Sequence, residues 1–254
     1  MKMKLLGCAL AALTLSACGG GGGGSDNSGG SNFVQPDTSG GVAQGFYSGT
    51  DNAGDIINGV VLDTGVYYFV YVNQTTNTLG LVQGTASRAN GPLVSADARN
   101  YVIGQNSVTP DNIAFSLAAQ TSLNGTITPV ASGSTPVSFT TQYSTVYDQA
   151  PSLAAIAGTY TGAAGSVKGG ESVSVTITAN GAVSGRGTSG CIFTGTATPH
   201  GTKNVYDATV TFGAAPCLTP NKTLTGVLAV IDNSILAAAP LADRSDAFVL
   251  AGSK

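Results

Sequence analysis

The chain has 254 residues, of which 42% are hydrophobic and only 9% are charged, so a core can form but the surface must be built mainly from uncharged polar residues. The formal net charge is −3 and the ten Lys and Arg residues form no basic patch, which argues against a nucleic acid partner. Many glycines and few Lys or Glu residues favour strands and turns over helices.

The first residues have the layout of a bacterial secretion signal. Lys2 and Lys4 give a positive start, and the apolar run Leu5–Leu15 is too short to cross a membrane as a helix. The run ends in Leu15-Ser16-Ala17-Cys18, and this segment resembles the lipobox of bacterial prolipoproteins. The resemblance covers residues 1–18, and charge, apolar run and box follow one another in the expected order.

The lipobox resemblance implies cleavage after Ala17 and acylation of Cys18, on its sulfur and on the new amine. Each buried CH₂ group adds about 0.8 kcal/mol of membrane affinity, so several acyl chains on one cysteine would hold the protein at a bilayer. Gly19, rather than Asp, follows the cysteine, which implies an outer-membrane anchor facing the periplasm or the outside. The alternative is an ordinary signal peptide, residues 1–17, with a chance cysteine after it.

Residues 18–44 are predicted to be a disordered tether. They are rich in Gly, Ser, Asn and Asp and show no regular apolar period, so they cannot bury enough surface to offset the entropy of ordering. Such a segment would lift the folded part off the lipid, or it is neutral filler.

A first lobe of β-strands is predicted over residues 45–148. Ile56–Leu62 and Val66–Val72 are β-branched and aromatic runs separated by Asp63-Thr64-Gly65, which indicates a hairpin. Asn124-Gly125 is a further turn signal. Later runs alternate apolar and small or polar residues, so one face of each is expected to be buried. These runs contain Ile113, Phe115, Leu117, Val137, Phe139 and Tyr143.

A short helix is predicted within residues 149–157, because Pro151 suits its first turn and Gly158 suits the position after its end. A second β lobe then covers residues 158–254. Gly158-Thr159-Tyr160-Thr161-Gly162 echoes Gly45-Phe46-Tyr47-Ser48-Gly49, and a second echo pairs residues 125–129 with 195–199. The two echoes have different offsets, 113 and 70 residues, so they are weak support for a duplication.

The predicted fold class is all-β, with antiparallel meander strands forming one or two small barrels or sandwich lobes. The short helix followed by a Gly-Thr-Tyr-Thr-Gly strand also resembles the opening of small calycin-type barrels. That resemblance covers five residues and indicates no particular ligand.

Cys191 and Cys217 are the two cysteines left after the signal besides Cys18. Outside the cytoplasm such a pair normally forms a disulfide, and we predict one here. The alternatives are two free buried thiols or a metal or catalytic pair.

Catalytic and metal-binding residues are not expected. His200, the one histidine, lies in a polar turn and is predicted to be exposed. Asp51-Asn52-Ala53-Gly54-Asp55 and Asp243-Arg244-Ser245-Asp246 offer oxygen ligands, but neither has the spacing of an EF-hand loop. Glu171 is the sole glutamate, and no second carboxylate is paired with it in the sequence for two-carboxylate hydrolysis.

The candidate ligand-binding residues are Tyr67, Phe69 and Tyr71. They share one face of a strand, while Tyr68 lies on the opposite face with three valines. The three side chains are interpreted either as core or as the aromatic wall of a lipid or glycan pocket.

The function expected from the sequence is that of a lipid-anchored envelope protein that binds or shields something without catalysis. It needs no cofactor, its membrane partner is the bilayer around acylated Cys18, and a protein or glycan partner is left open. The alternatives are a carrier of a small apolar ligand or glycan in a barrel pocket, and a hydrolase.

Overall fold

The structure is a computed structural model that describes residues 39–88 and 91–254. The predicted signal, the lipobox-like segment with Cys18 and residues 18–38 of the predicted tether lie outside the described residues. The last residues assigned to the tether contain a 3₁₀ turn, Ser39–Ala43, and Ala43 is buried. The described residues form two closed antiparallel barrels of eight strands each, which confirms the predicted fold class. Within the described ranges, no helix has the length and apolar character that a membrane crossing requires.

Barrel 1 is an up-and-down meander in which each strand pairs with the next and the last pairs with the first. Its strands are β1 (Gly45–Asp51), β2 (Ile56–Val61), β3 (Val66–Asn73), β4 (Thr78–Thr85), β5 (Val94–Val102), β6 (Ser107–Ala118), β7 (Ser122–Pro129) and β8 (Val137–Ser144). Closure joins Tyr47 on β1 to Tyr143 on β8 in register, so the sheet has no unpaired edge.

Barrel 2 repeats this topology. Its strands are β9 (Gly158–Ser166), β10 (Gly169–Ile177), β11 (Ala182–Gly187), β12 (Ile192–Pro199), β13 (Tyr206–Phe212), β14 (Thr223–Ile231), β15 (Ser234–Pro240) and β16 (Ala247–Ser253). Leu250 on β16 pairs with Ala164 on β9 and closes the sheet.

The connection between the barrels contains a 3₁₀ turn, Thr145–Asp148, and the short helix α1, Leu153–Ile156. The Ser152 hydroxyl caps α1 by accepting the Ala155 amide at 3.3 Å, which supplies one of the partners that a helix start lacks. The predicted helix is therefore present, and it is one turn long.

The first strands of the two barrels are equivalent. The hydroxyl of Tyr47 donates to the Ala43 carbonyl at 2.9 Å, and the hydroxyl of Tyr160 donates to the Ile156 carbonyl at 2.6 Å, in each case four residues back. Both tyrosines are buried. The first sequence echo thus marks the same position in each barrel, whereas the second links β7, the seventh strand of barrel 1, to β12, the fourth of barrel 2.

The turn predicted at Asn124-Gly125 is wrong, because both residues lie inside β7. Gly125 faces Phe115 on β6 and Phe139 on β8, and a side chain at this position would collide with the Phe139 ring. The glycine makes room for an aromatic ring in the barrel interior, and the chain turns earlier, at residues 119–121, where Gln120 has a positive φ of 53°.

The two barrels pack through the outer faces of their strands. Tyr68, which points away from the interior of barrel 1, contacts both clusters of apolar side chains in this interface. Arg244 on the β15–β16 loop adds a polar link, since its guanidinium donates to the carbonyls of Gln83 and Asp97 at 2.9 and 2.6 Å. β3 therefore packs against apolar side chains on both faces, those of the barrel 1 interior on one and those of the interface with barrel 2 on the other.

Candidate ligand-binding site

The candidate site lies at one end of barrel 1, where the β1–β2, β3–β4 and β5–β6 turns and the β7–β8 loop meet. A cavity of about 220 Å³ opens there, and all eight strands contribute to its wall. We call it the mouth cavity. Its deeper part is apolar, with Phe69, Ile113 and Phe139, and its outer part is polar, with Asn100 and Asp111.

The aromatic side chains of β3 reach the interior because side chains alternate across a strand. Tyr67, Phe69 and Tyr71 all point into barrel 1. Each faces a glycine on a paired strand: Gly84, Gly59 and Gly80 respectively. A side chain at any of these glycines would collide with the ring opposite, so the glycines define where the three rings lie.

The three predicted ligand-binding residues have different surroundings. Tyr67 is fully buried below the cavity, and its hydroxyl donates to the Ser95 hydroxyl at 2.8 Å. Phe69 and Tyr71 line the cavity. The Tyr71 hydroxyl donates to the Asn100 side-chain oxygen at 2.9 Å, and burial raises the pKa of Tyr71 to about 12, which keeps it protonated at neutral pH.

Asp111 is the unusual residue of the site. It shares the inward face of β6 with Ile113 and Phe115, and only 2% of its surface is exposed. Neither carboxylate oxygen has a hydrogen-bond partner among the described residues, although it lines the mouth cavity. Burial raises the pKa of Asp111 from 3.8 to about 6, and the charge of Arg99 opposes this only in part.

The strands beside Asp111 cannot satisfy it. Its neighbour on β7 is Pro129, which has no amide hydrogen, and its neighbour on β5 is Ala98. The carboxylate is therefore buried in the cavity wall without a hydrogen bond from either neighbouring strand, which is energetically costly.

Two further carboxylates line the outer part of the mouth cavity, and both accept hydrogen bonds from nearby amide groups. Asp51 accepts from the Ala53 and Asp55 amides at 2.8 and 2.9 Å. Asp55 accepts from the Asn73 side chain at 2.8 Å and from the Gln74 amide at 3.0 Å. Within residues 39–88 and 91–254, no group of three or more His, Cys, Asp or Glu side chains is placed to hold a metal.

Asp111 was missed at the sequence level, although a signal exists. The residue precedes Ile113, Phe115 and Leu117 at a spacing of two, so it is in phase with the apolar face of β6. A carboxylate in an interior position of an alternating strand is an exception that marks either strain or a ligand.

The corresponding end of barrel 2 is closed. Cys191 and Cys217 form the predicted disulfide, with Cα atoms 4.5 Å apart, which confirms that pairing. The disulfide ties the start of β12 to the loop 213–222, and Leu218 and Thr219 from this loop lie over the interior. The remaining cavity measures only about 20 Å³.

The prediction that His200 is exposed is wrong, since only 20% of its side chain is accessible. One ring nitrogen lies 3.1 Å from Asp63 on barrel 1 and the other 2.8 Å from Asp207 on barrel 2. Burial lowers the pKa of His200, but hydrogen bonds to the two carboxylates and their charges raise it more, so the net shift is upward. The residue joins the barrels, a contact that only the packed structure creates.

A second cavity, of about 420 Å³, lies between the barrels and is lined mainly by apolar side chains such as Val60, Tyr68, Val227 and Leu236. It is larger than the mouth cavity. However, none of the described buried side-chain atoms that lack a partner lies in its wall. The mouth cavity is therefore the stronger candidate.

Comparison of the chain with protein-family models, with curated proteins and with solved structures finds no match. What the protein does must be inferred from the chemistry of its own residues.

Proposed function

We propose that this protein is a lipid-anchored protein of the cell envelope, held at the outer membrane through acylated Cys18, that binds a small ligand in the mouth cavity of barrel 1 without catalysis. The observation that carries the binding function is a cavity of about 220 Å³ that contains a buried carboxylate with no hydrogen-bond partner among the described residues. The lipobox at Leu15-Ser16-Ala17-Cys18 supports the anchor.

The dimensions of the cavity favour a compact ligand. Pockets for drug-sized molecules measure about 300 to 1,000 Å³, and the mouth cavity is smaller, at about 220 Å³. Its wall is a closed ring of strands, so an oligosaccharide would extend out of the mouth. A small ligand with an apolar body on Phe69 and Phe139 matches the lining better than a glycan chain.

The residues of the cavity also favour binding over catalysis. A two-carboxylate hydrolase needs a second free carboxylate opposite the first. Asp51 accepts hydrogen bonds within its own turn, and Asp55 accepts them from Asn73 and Gln74 at the β3–β4 turn. His200 is also engaged in hydrogen bonds, because its two ring nitrogens lie 2.8 and 3.1 Å from carboxylate oxygens. It is not placed to accept a proton from a nucleophile.

The binding function is tested by titrating the full-length protein in detergent with small aromatic compounds and recording the aromatic NMR signals of its Phe and Tyr side chains. We expect shifts at Phe69 and Tyr71 and none at Phe193, which lies inside barrel 2. Equal shifts in both barrels, or none at Phe69 and Tyr71, would contradict the proposal.

The anchor is tested separately by labelling cells with palmitate. The wild-type protein should incorporate the label, whereas Cys18→Ser should remain an unlabelled precursor that is not cleaved after Ala17. Label retained by the Cys18→Ser variant would show that the cysteine is not the lipid attachment site.

A further inference from the structure

The lining of the mouth cavity carries information on the charge of its ligand. Asp51, Asp55 and Asp111 all contribute to it, and none of the described residues in its wall is Lys, Arg or His. An anionic ligand would be repelled by this set of carboxylates. A neutral apolar ligand would fill the deeper part but would leave the Asp111 carboxylate buried and unpaired.

Asp111 is suited to a cation. A buried carboxylate becomes favourable when a positive charge with N–H donors occupies its empty acceptor positions. Arg99 on β5 is the positively charged residue that acts on Asp111, but it is not a hydrogen-bond partner of Asp111. The acceptor positions of Asp111 are thus left for a group that enters through the mouth.

The aromatic rings strengthen the same conclusion. Phe69 and Phe139 lie with their ring centres 5.9 Å apart in the deeper part of the cavity, and Tyr71 lines its side nearer the mouth. Cations bind favourably over aromatic faces, most strongly where water is excluded. A carboxylate beside such rings combines the two kinds of group that recognise an organic ammonium ion.

We propose that the mouth cavity binds a compact organic cation, with its ammonium group at Asp111 and its apolar body against Phe69 and Phe139. This inference rests on the proposed binding function and specifies its ligand class. Asp111 acts as the counter-ion, and the rings hold the body of the ligand.

Binding of such a cation depends on pH through Asp111. The ionisable groups around Asp111 are Arg99 on β5, Tyr67 and Tyr71 on β3, Asp51 at the end of β1 and Asp55 in the turn that follows it. Since burial raises the pKa of Asp111 to about 6, the carboxylate is mostly protonated at pH 5 and mostly ionised at pH 7.5. The affinity for a cation should therefore fall about tenfold between pH 7.5 and pH 5.

The test uses three probes of nearly the same shape and different charge: benzylamine, benzyl alcohol and benzoate. Each is titrated into the full-length protein in detergent at pH 7.5 by calorimetry or NMR. We expect benzylamine to bind at least tenfold more tightly than benzyl alcohol, and benzoate not to bind. Equal affinity for benzylamine and benzyl alcohol would overturn the cation inference and leave the small-ligand function standing. Absence of binding by all three would count against both.

Substitution of the counter-ion gives the second arm. Asp111→Asn should lower the affinity for benzylamine at least tenfold and leave that for benzyl alcohol unchanged. Asp243→Asn, which removes the same charge from an exposed loop of barrel 2, is the matched control and should bind benzylamine like the wild type. Unchanged binding of benzylamine by Asp111→Asn would overturn the inference. If that variant does not fold, the wild-type pH dependence decides, because benzyl alcohol affinity should not change between pH 7.5 and 5.

Discussion

The two barrels have the same strand number, the same connections and the same tyrosine hydrogen bond on their first strand, but their corresponding ends differ. Barrel 1 has a cavity of about 220 Å³ at the end where its first turn lies, and barrel 2 retains about 20 Å³ at that end. The same topology therefore produces one barrel with an open cavity and one barrel whose interior is filled.

The filling of barrel 2 has two causes. Phe193, Phe212 and Phe248 contact one another with ring centres 5.2 to 5.6 Å apart, and they occupy the interior under the disulfide. The loop that carries Cys217 then covers them. In barrel 1 the corresponding end is lined by Asp111 and Asn100 instead, and no disulfide joins the described loops around it.

This difference shows that the barrel fold alone does not assign the function. Barrel 2 has the features of a stabilising unit, with a covalent link and a continuous aromatic core. Barrel 1 instead contains a buried carboxylate without a hydrogen-bond partner among the described residues, for which the proposed binding function supplies a reason.

The largest expected effect comes from removing the disulfide of barrel 2. A bridge with a sequence separation of 26 residues contributes about 3.5 kcal/mol by restricting the unfolded chain. The double variant Cys191→Ser, Cys217→Ser should therefore melt at a clearly lower temperature, as measured by circular dichroism. Benzylamine binding at a temperature where the variant is folded should be retained, since barrel 1 carries the site. An unchanged melting temperature would contradict the stabilising role assigned to the bridge.

The second prediction concerns the stability of barrel 1. The pKa of Asp111 is raised from 3.8 to about 6, so the carboxylate favours folding while protonated, and that contribution is lost as pH rises from about 3.8 through about 6. The ionised group costs up to about 3 kcal/mol. Asp111→Asn should therefore be more stable than the wild type at pH 8, by up to that amount, and show little or no gain at pH 4. A variant less stable at pH 8 would indicate a structural role for the carboxylate.

The third prediction separates ring position from general packing. Gly80→Val should displace the Tyr71 ring into the mouth cavity, cost about 1 to 3 kcal/mol through overpacking, and abolish binding of benzylamine. Gly185→Val is the matched variant in barrel 2, because Gly185 faces Phe193 in the same way. It should destabilise the protein similarly without changing the affinity. Equal loss of binding in both variants would mean that the cavity does not depend on Tyr71.

The smallest effect is expected at the contact between the barrels. The pKa of His200 is raised above 6.5, because two carboxylates outweigh the effect of burial, so its stabilisation is complete below pH 6.5 and is lost as pH rises through the folded-state pKa. His200→Gln should be less stable than the wild type at pH 6, by less than about 1 kcal/mol since Asp63 and Asp207 are exposed. The difference should shrink at pH 9. A difference that grows with pH would have the wrong sign.

Local patterns in the sequence were sufficient for the fold class and for the covalent link. Alternation placed Tyr67, Phe69 and Tyr71 on one face because the period of a strand is fixed. The disulfide followed from the two cysteines that remain, besides Cys18, after a secretion signal. The Asn124-Gly125 turn failed, since a glycine needed for ring packing looks the same in sequence as one needed for a turn.

Such local patterns do not predict contacts between distant parts of the chain. His200 meets Asp63 from a strand turn 137 residues earlier, and Arg244 meets Asp97 at a separation of 147. Asp111 lies between these cases. Its phase within β6 was visible in the sequence, but the missing partners became apparent only once the neighbouring Pro129 and Ala98 were placed beside it.

The opposite end of barrel 1 also has a consequence for how a ligand exchanges. A 3₁₀ turn, Ser39–Ala43, precedes β1, and Ala43 is fully buried in the core at the end where the strand begins. Tyr67 and Leu123 fill the interior between that end and the cavity. Barrel 1 is thus closed at this end, so the ligand proposed above would enter and leave through the mouth cavity alone. For that proposed ligand, mutations of connection residues that do not line the cavity should change the association and dissociation rates together and leave the equilibrium affinity largely unaltered.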